Sequence, residues 1–124
     1  SGMELKPRID IDMQVGLAEI NGRNTYDLMQ KLAPFGEGNP VPVFLSCGVS
    51  VLDCRTMGNN GEHLRLKLKQ GNTVWNSVAF GLGNYVGEIA SVLDIVYNLE
   101  MDRWNGNENL RLNILDFGRA DSRR

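Results

Sequence analysis

The chain has 124 residues, of which 42% are hydrophobic and 23% are charged, and its formal net charge at pH 7 is −2. This length and balance are typical of one globular domain with its own apolar core, and they exclude a disordered tail or a fibrous repeat. No run approaches the roughly 18 apolar residues that cross a bilayer, and the N-terminus lacks a secretory signal pattern, so we expect a soluble cytoplasmic protein without a membrane partner.

Residues 1–43 are predicted to precede the main domain as an extended segment, a helix and a joint. Residues 1–2 resemble a cloning remnant, so we expect the natural segment to begin near Glu4. A segment of this kind can be one piece of a longer protein. A helix is predicted after the turn signal Asn21-Gly22, ending at Pro34. The glycines and prolines that follow predict a rigid joint, and no Lys-Ser or Lys-Thr completes a phosphate loop there.

A short strand is predicted before that helix. Ile9, Ile11 and Met13 alternate with polar residues, which indicates one buried face. Asp10 and Asp12 lie between them, but no further oxygen ligand follows at a binding spacing. The aspartates are therefore interpreted as a solvated strand face rather than a metal site.

Five strands are predicted after the joint, separated by turns rich in Gly and Asn. They cover Phe44 to Met57, Glu62 to Lys69, Thr73 to Phe80, Val92 to Trp104 and Asn109 to Phe117. Gly48 predicts a bulge in the first strand, and helical spacing predicts a short helix within residues 85–90. This order of elements is that of an OB-fold, a mainly β five-stranded Greek-key barrel, over residues 44–117. Residues 118–124 are predicted to be a frayed C-terminal tail.

Cysteine usage indicates a reducing compartment. Cys47 and Cys54 are seven residues apart in one predicted strand, a separation of about 23 Å that no disulfide spans. His63 is the only histidine and there is no CxxC pair, so a zinc site is not predicted either. Both thiols are interpreted as small apolar fillers.

The second predicted strand carries a row of positive charge. Strict alternation places three leucines on one face and the cationic row on the other, comprising His63, Arg65, Lys67 and Lys69. Such a row attracts a phosphate backbone, although any amphipathic strand needs solvated side chains on its outer face. In OB-folds this strand, the next one and the loops corresponding to residues 58–61 and 105–107 form the usual oligonucleotide surface.

Two tryptophans are candidates for stacking on nucleic-acid bases. Trp75 points outward beside Arg65 or Lys67 if Val78 and Phe80 point inward; otherwise it belongs to the core. Trp104 lies next to Arg103, just before the last turn. The alternative to a stacking role is that Trp104 is a rim residue that covers the end of the barrel.

Several motifs resemble one family. Residues 32–44, which contain the run Pro-Phe-Gly-Glu-Gly-Asn-Pro, strongly resemble the segment that leads into the C-terminal OB domain of RecJ-type single-strand-specific DNA exonucleases. Further motifs in register with that family are Ile9 to Asp12, Gly61 to Leu66, Val78 to Phe80, Tyr97 to Leu99, Trp104 to Gly106 and Leu110 to Leu112. The resemblance covers about residues 5–117. One departure is Asp102, where the family commonly has asparagine, and this negative charge argues against phosphate contact at the last loop.

The resemblance implies a single-stranded-DNA-binding module of a 5′-to-3′ exonuclease that acts in DNA repair and recombination. The parent enzyme would use manganese or magnesium in DHH and DHH-associated domains. The Asp-His-His signature of those domains is absent here, so this chain is expected to hold no metal or cofactor and to have no nuclease activity alone. The implied nucleic-acid-binding residues are His63, Arg65, Lys67, Lys69, Trp75, Arg103, Trp104 and Arg111.

A rival hypothesis assigns the same cations to protein contacts. Arg and Lys rows bind carboxylates as well as phosphates. The module would then be an interdomain scaffold of the same enzyme, or would bind the acidic tail of a single-strand-binding protein. An independent enzyme is disfavoured because no nucleophile–base pair is evident.

Overall fold

The structure is built almost entirely of β-strands. The computed structural model describes residues 9–20, 41–104 and 106–120. Its elements are β1 (Met13–Gln14), β2 (Phe44–Met57), β3 (His63–Gln70), β4 (Thr73–Ala79), a 3₁₀ helix (Gly83–Glu88), β5 (Val92–Trp104) and β6 (Asn107–Arg119). The predicted N-terminal helix and most of the joint lie outside the described residues. No helix in the described ranges has the length and apolar character needed to span a membrane.

The sheet closes on itself through β2. The first half of β2 pairs with β5 and the second half with β3, both antiparallel, while β4 and β6 meet in a short parallel pairing. The strand order is β1-β2-β3-β4-β6-β5 with an additional β2–β5 pairing, so β2 to β6 form a closed five-stranded barrel. The predicted OB-fold, including the short helix between its third and fourth barrel strands, is confirmed.

Two bulges allow β2 to pair with both β5 and β3. The register shifts between Ser46 and Val49 around Gly48, which has φ of 72° and donates its N–H to Asp94 Oδ1 at 2.9 Å. The predicted bulge at Gly48 is therefore confirmed. A second shift between Val51 and Asp53 was not predicted, and the residue within it, Leu52, is exposed. Each bulge changes which residues of β2 face the core.

The core fills the barrel and includes one polar chain. Every barrel strand contributes buried side chains, and those of β4 include Trp75 and Ala79 at 8% and 0% exposure. The Tyr97 hydroxyl and Ser46 Oγ are hydrogen-bonded at 2.7 Å, and Ser46 Oγ donates to the Val15 carbonyl at 2.7 Å. These bonds satisfy buried hydroxyls and attach the N-terminal segment to the barrel.

The N-terminal segment differs from the prediction. Ile9, Ile11 and Met13 are all exposed, so the expected buried face is wrong. β1 pairs with the outer edge of β2, and the segment reaches the core only at the apolar residues that follow, Val15, Leu17 and Ile20. Asp12 has a structural role here, because its carboxylate accepts the N–H of Val43 at 2.8 Å.

One other boundary is corrected. The predicted C-terminal tail begins too early, since Gly118 and Arg119 still pair with β5. Cys47 and Cys54 are half-buried thiols that do not form a disulfide. Burial, with a smaller contribution from Asp53, raises the pKa of the Cys54 thiol, which keeps that side chain protonated.

Candidate nucleic-acid interface

The cationic row lies on the outer face of β3, between β2 and β4. Leu64, Leu66 and Leu68 are buried beneath the strand, whereas Arg65, Lys67 and Lys69 are exposed. These three cations form no hydrogen bond or ion pair with any residue in the described ranges. Their charges are available to an anion.

Arg55 adds a further cation from β2, and sequence analysis did not identify it. The register of β2 and β3 places Arg55 opposite Arg65 and Asp53 opposite Lys67. Arg55 Nε donates to Asp53 Oδ2 at 3.0 Å, but both side chains are well exposed, so solvent weakens this ion pair. The sequence of the hairpin could have predicted this position. Residues equally far from a hairpin turn pair with each other, so a hairpin that pairs Met57 with His63 also pairs Arg55 with Arg65.

The prediction that Trp75 is an exposed stacking residue is wrong. Its side chain belongs to the core, and its indole Nε1–H donates to the Leu17 carbonyl at 3.2 Å. The inner set on β4 is Trp75, Ser77 and Ala79, so Phe80 rather than Trp75 lies on the outer side. The tryptophan is retained inside because its large apolar area favours burial once the indole N–H has an acceptor.

Phe80 is the exposed aromatic residue next to the cationic row. The residue is 48% exposed and directly follows the last residue of β4. Val78, two residues earlier, is opposite Arg65 and is buried outside the main core cluster. The outer face therefore combines cations on β3 with apolar groups on β4, a combination suited to an anion that carries flat apolar groups.

His63 begins the cationic row but does not behave like its other members. It is half-buried, and its Nδ1 accepts the backbone N–H of Gly81 at 2.8 Å. Its ring meets Phe80 edge to face, with centroids 5.4 Å apart. A backbone N–H can only donate, so Nδ1 uses its lone pair and the proton of the neutral imidazole is on Nε2.

Arg111 borders the same face from β6, where carboxylates neutralise it. Its Nε donates to Glu100 Oε2 at 2.7 Å, and its Nη1 is 3.6 Å from Asp102 Oδ2. The guanidinium carbon lies 5.8 Å from the centroid of Phe80. Arg111 is thus committed to protein partners, which reduces its attraction for phosphate.

The two loops of the predicted surface are described to different extents. The turn after β2 is fixed by Gly83, whose N–H donates to the Glu62 carbonyl at 3.0 Å. Arg103 and Trp104 end β5 opposite Glu108 and Asn107, but their side chains, like Asn105, lie outside the described part of the structure.

The described ranges contain no group of three His, Cys, Asp or Glu side chains arranged to hold a metal ion. The site built by β2, β3, β4 and β6 is an open, cationic and partly aromatic barrel face. This geometry suits the binding of a polyanion more than a chemical reaction.

Comparison with known proteins places this barrel in a family. The family model of the RecJ OB domain matches residues 11–116. The chain belongs to the RecJ OB-domain family. The predicted resemblance is confirmed.

Relatives of this RecJ OB domain are much longer proteins. The present chain is 30% identical over 97 residues to the single-stranded-DNA-specific exonuclease RecJ of Haemophilus influenzae. The match covers 75% of this chain and 16% of the relative. The RecJ exonuclease of Bacillus subtilis is 27% identical over 112 residues, covering 89% of this chain and 14% of the relative. The chain therefore spans about one-sixth of these curated relatives.

Solved structures show the same fold. The crystal structure of Thermus thermophilus RecJ in complex with Mg²⁺ superimposes with a TM-score of 0.62 at 23% identity, covering 87% of this chain and 16% of that one. The Mn²⁺ complex of the same protein gives a TM-score of 0.61 at 24% identity, covering 86% and 15%.

Proposed function

We propose that this RecJ OB domain binds single-stranded DNA through the outer face of β3. One observation carries the proposal: the exposed side chains of Arg65, Lys67 and Lys69 form no ion pair within the described residues. Unpaired like charges repel one another, so an anionic ligand gains from binding there. The RecJ relatives are single-stranded-DNA-specific exonucleases, which supports a nucleic-acid strand as this anion.

The parent protein is proposed to be a single-strand-specific exonuclease of the RecJ type. The role of this domain is to hold the strand so that its 5′ end reaches a DHH catalytic domain elsewhere in the parent, where manganese or magnesium supports hydrolysis. Binding at the OB face positions the substrate and performs no chemistry. The isolated chain is therefore proposed to lack nuclease activity.

The proposal is tested by measuring binding of a fluorescent oligo-dT to the full chain at several salt concentrations. We expect the R65A/K67A double variant to bind more weakly and to lower the magnitude of the log Kd–log salt slope by about 1.4, since each lost single-strand phosphate contact removes about 0.7. R119A is the control for loss of a cation elsewhere, because Arg119 lies at the end of β6, where it pairs with Leu93 of β5, and is not on β3. Affinity and slope that both remain unchanged in R65A/K67A would contradict the proposal.

An acidic peptide in the same titration separates DNA binding from a scaffold role. If the cations evolved for carboxylates, the peptide displaces oligo-dT at matched charge concentration. We expect the oligonucleotide to win this competition. Assay of the isolated chain with manganese then tests the absence of hydrolysis.

A further inference from the structure

We propose that Phe80 and His63 form a base-binding subsite at one end of the cationic row. This inference rests on the proposed function and deepens it by assigning base contacts to a face whose other groups contact phosphate. Phe80 stacks on a nucleobase, and the Nε2–H of His63 donates to an acceptor oxygen or nitrogen of the same strand.

Phe80 is exposed and held in place. Nearly half of its side chain is accessible, whereas most aromatic area of a small domain is buried. The ring is nevertheless restrained by an edge-to-face contact with His63 and by the Arg111 guanidinium, which lies over it at 5.8 Å from its centroid. An aromatic ring that is restrained before binding loses little entropy when a base stacks on it.

His63 supplies a directed donor beside that ring. The Gly81 N–H occupies Nδ1 at 2.8 Å and so fixes the tautomer with the proton on Nε2. Nε2 has no hydrogen-bond partner within the described residues. The Nε2–H is therefore available to an acceptor on a ligand.

The position of the subsite relative to the cations fits one continuous strand. Arg65 is two residues from His63 on the same face of β3, a step of about 7 Å. Its cross-strand partner Val78 is two residues from Phe80 on β4. Phosphates over β3 and bases over the end of β4 are thus both within reach of the same oligonucleotide.

Phe80 is tested with F80L, which keeps apolar volume but removes the π face, and with F80W, which restores it. We expect F80L to weaken oligo-dT binding about tenfold without changing the salt slope, and F80W to restore it, because stacking is not electrostatic. An oligomer in which the bases are replaced by abasic sites serves as the second ligand. F80L and the unmodified chain should bind that ligand equally; an equal loss with both ligands would overturn the stacking assignment.

His63 is tested with a pair of variants that each imitate one ring nitrogen. The amide oxygen of H63N can accept the Gly81 N–H but leaves no distal donor, whereas the amide nitrogen of H63Q reproduces the distal donor. We expect H63N to weaken binding several-fold and H63Q to retain most of it. Equal affinities for the two variants would overturn the donor role.

These outcomes are distinguishable from failure of the proposed function. If R65A/K67A weakens binding while F80L does not, the DNA-binding face stands and the base subsite is wrong. If R65A/K67A has no effect, the face itself is wrong whatever F80L does.

Discussion

Arg55 and Arg65 lie directly opposite each other on adjacent strands, with both side chains exposed. Like charges in this arrangement destabilise a sheet by a few tenths of a kcal/mol up to about 1 kcal/mol. The ion pair between Arg55 and Asp53 offsets only part of this repulsion. The hairpin therefore keeps a charge arrangement that binding explains better than folding does.

The first prediction is that R65Q stabilises the domain while weakening its binding to oligo-dT. We expect the free energy of unfolding in urea to rise by a few tenths of a kcal/mol at low salt and the gain to vanish at high salt. Adding R55Q should give no further increase, because the repulsion has already been removed. A loss of stability above about 1 kcal/mol in R65Q would show that Arg65 makes a stabilising contact.

Arg111 should contribute less to binding than its neighbours on β3. Its charge is paired with Glu100 at 2.7 Å and lies near Asp102, so R111A is expected to change the salt slope by less than K67A does. The E100Q variant should instead strengthen oligo-dT binding several-fold at low salt, since it removes a negative charge beside the face. An R111A effect on the slope as large as that of K67A would contradict this reasoning.

Trp75 should affect stability and leave binding intact. W75F loses the indole hydrogen bond to the Leu17 carbonyl and leaves a small cavity, which together destabilise the domain by about 1–3 kcal/mol. Thermal or urea unfolding measures that loss. The Kd for oligo-dT, measured where the variant is still folded, should stay within twofold of the unmodified value; a tenfold increase would return Trp75 to the binding surface.

Gly83 should not tolerate a side chain. A Cβ at this position would fall on the Gly61 carbonyl oxygen, which is backbone and has little freedom to move. We expect G83A to destabilise the domain by about 1–3 kcal/mol or more and to loosen the turn after β2. G87A is the matched control in the same 3₁₀ helix, since a Cβ there meets nothing within 4 Å. Similar unfolding curves for the two variants would refute the close contact.

Tyr97 should make stability fall in alkaline solution. Burial raises the pKa of its hydroxyl from 10.0 to about 12, so the folded state holds this proton more tightly than the unfolded state does. The contribution of this proton to the free energy of unfolding is complete below pH 10 and is lost as the pH rises from 10 to 12. The total loss is about 2–3 kcal/mol. Urea unfolding of the unmodified chain and of Y97F across this range isolates the effect, because other titrating groups are common to both. Parallel pH profiles would contradict it.

Patterns of alternation and turns predicted most of the barrel. β2 and β5 have the predicted bounds, and the leucines of β3 face inward as expected. These features are local: a period of two fixes which side chains share a face, and glycines with asparagines mark where strands turn. The closing β2–β5 pairing followed from recognising the order of elements rather than from any local pattern.

The outer face was less predictable because bulges change the phase of a strand. With Gly48 as the only bulge, alternation along β2 would have placed Arg55 inside the barrel; the second shift near Leu52 returns it to the outside. Trp75 was ambiguous for a different reason. Both faces of β4 carry apolar residues, and the register that pairs Trp75 with the inward-facing Leu68 decides which one is buried. The Leu17 carbonyl, 58 residues earlier in the chain, then accepts the indole N–H.

The bent β2 strand also has a consequence for biosynthesis. Phe44 pairs with Tyr97, so the first half of β2 leaves the ribosome 53 residues before its partner. At about 5–20 residues per second this interval is roughly 3–10 s. The β2–β3 and β3–β4 hairpins can form during that interval, but the strand pairing that joins Phe44 to Tyr97 cannot. Until translation has passed β5, the first half of β2 lacks its β5 partner and leaves an unpaired strand edge that can associate with other chains.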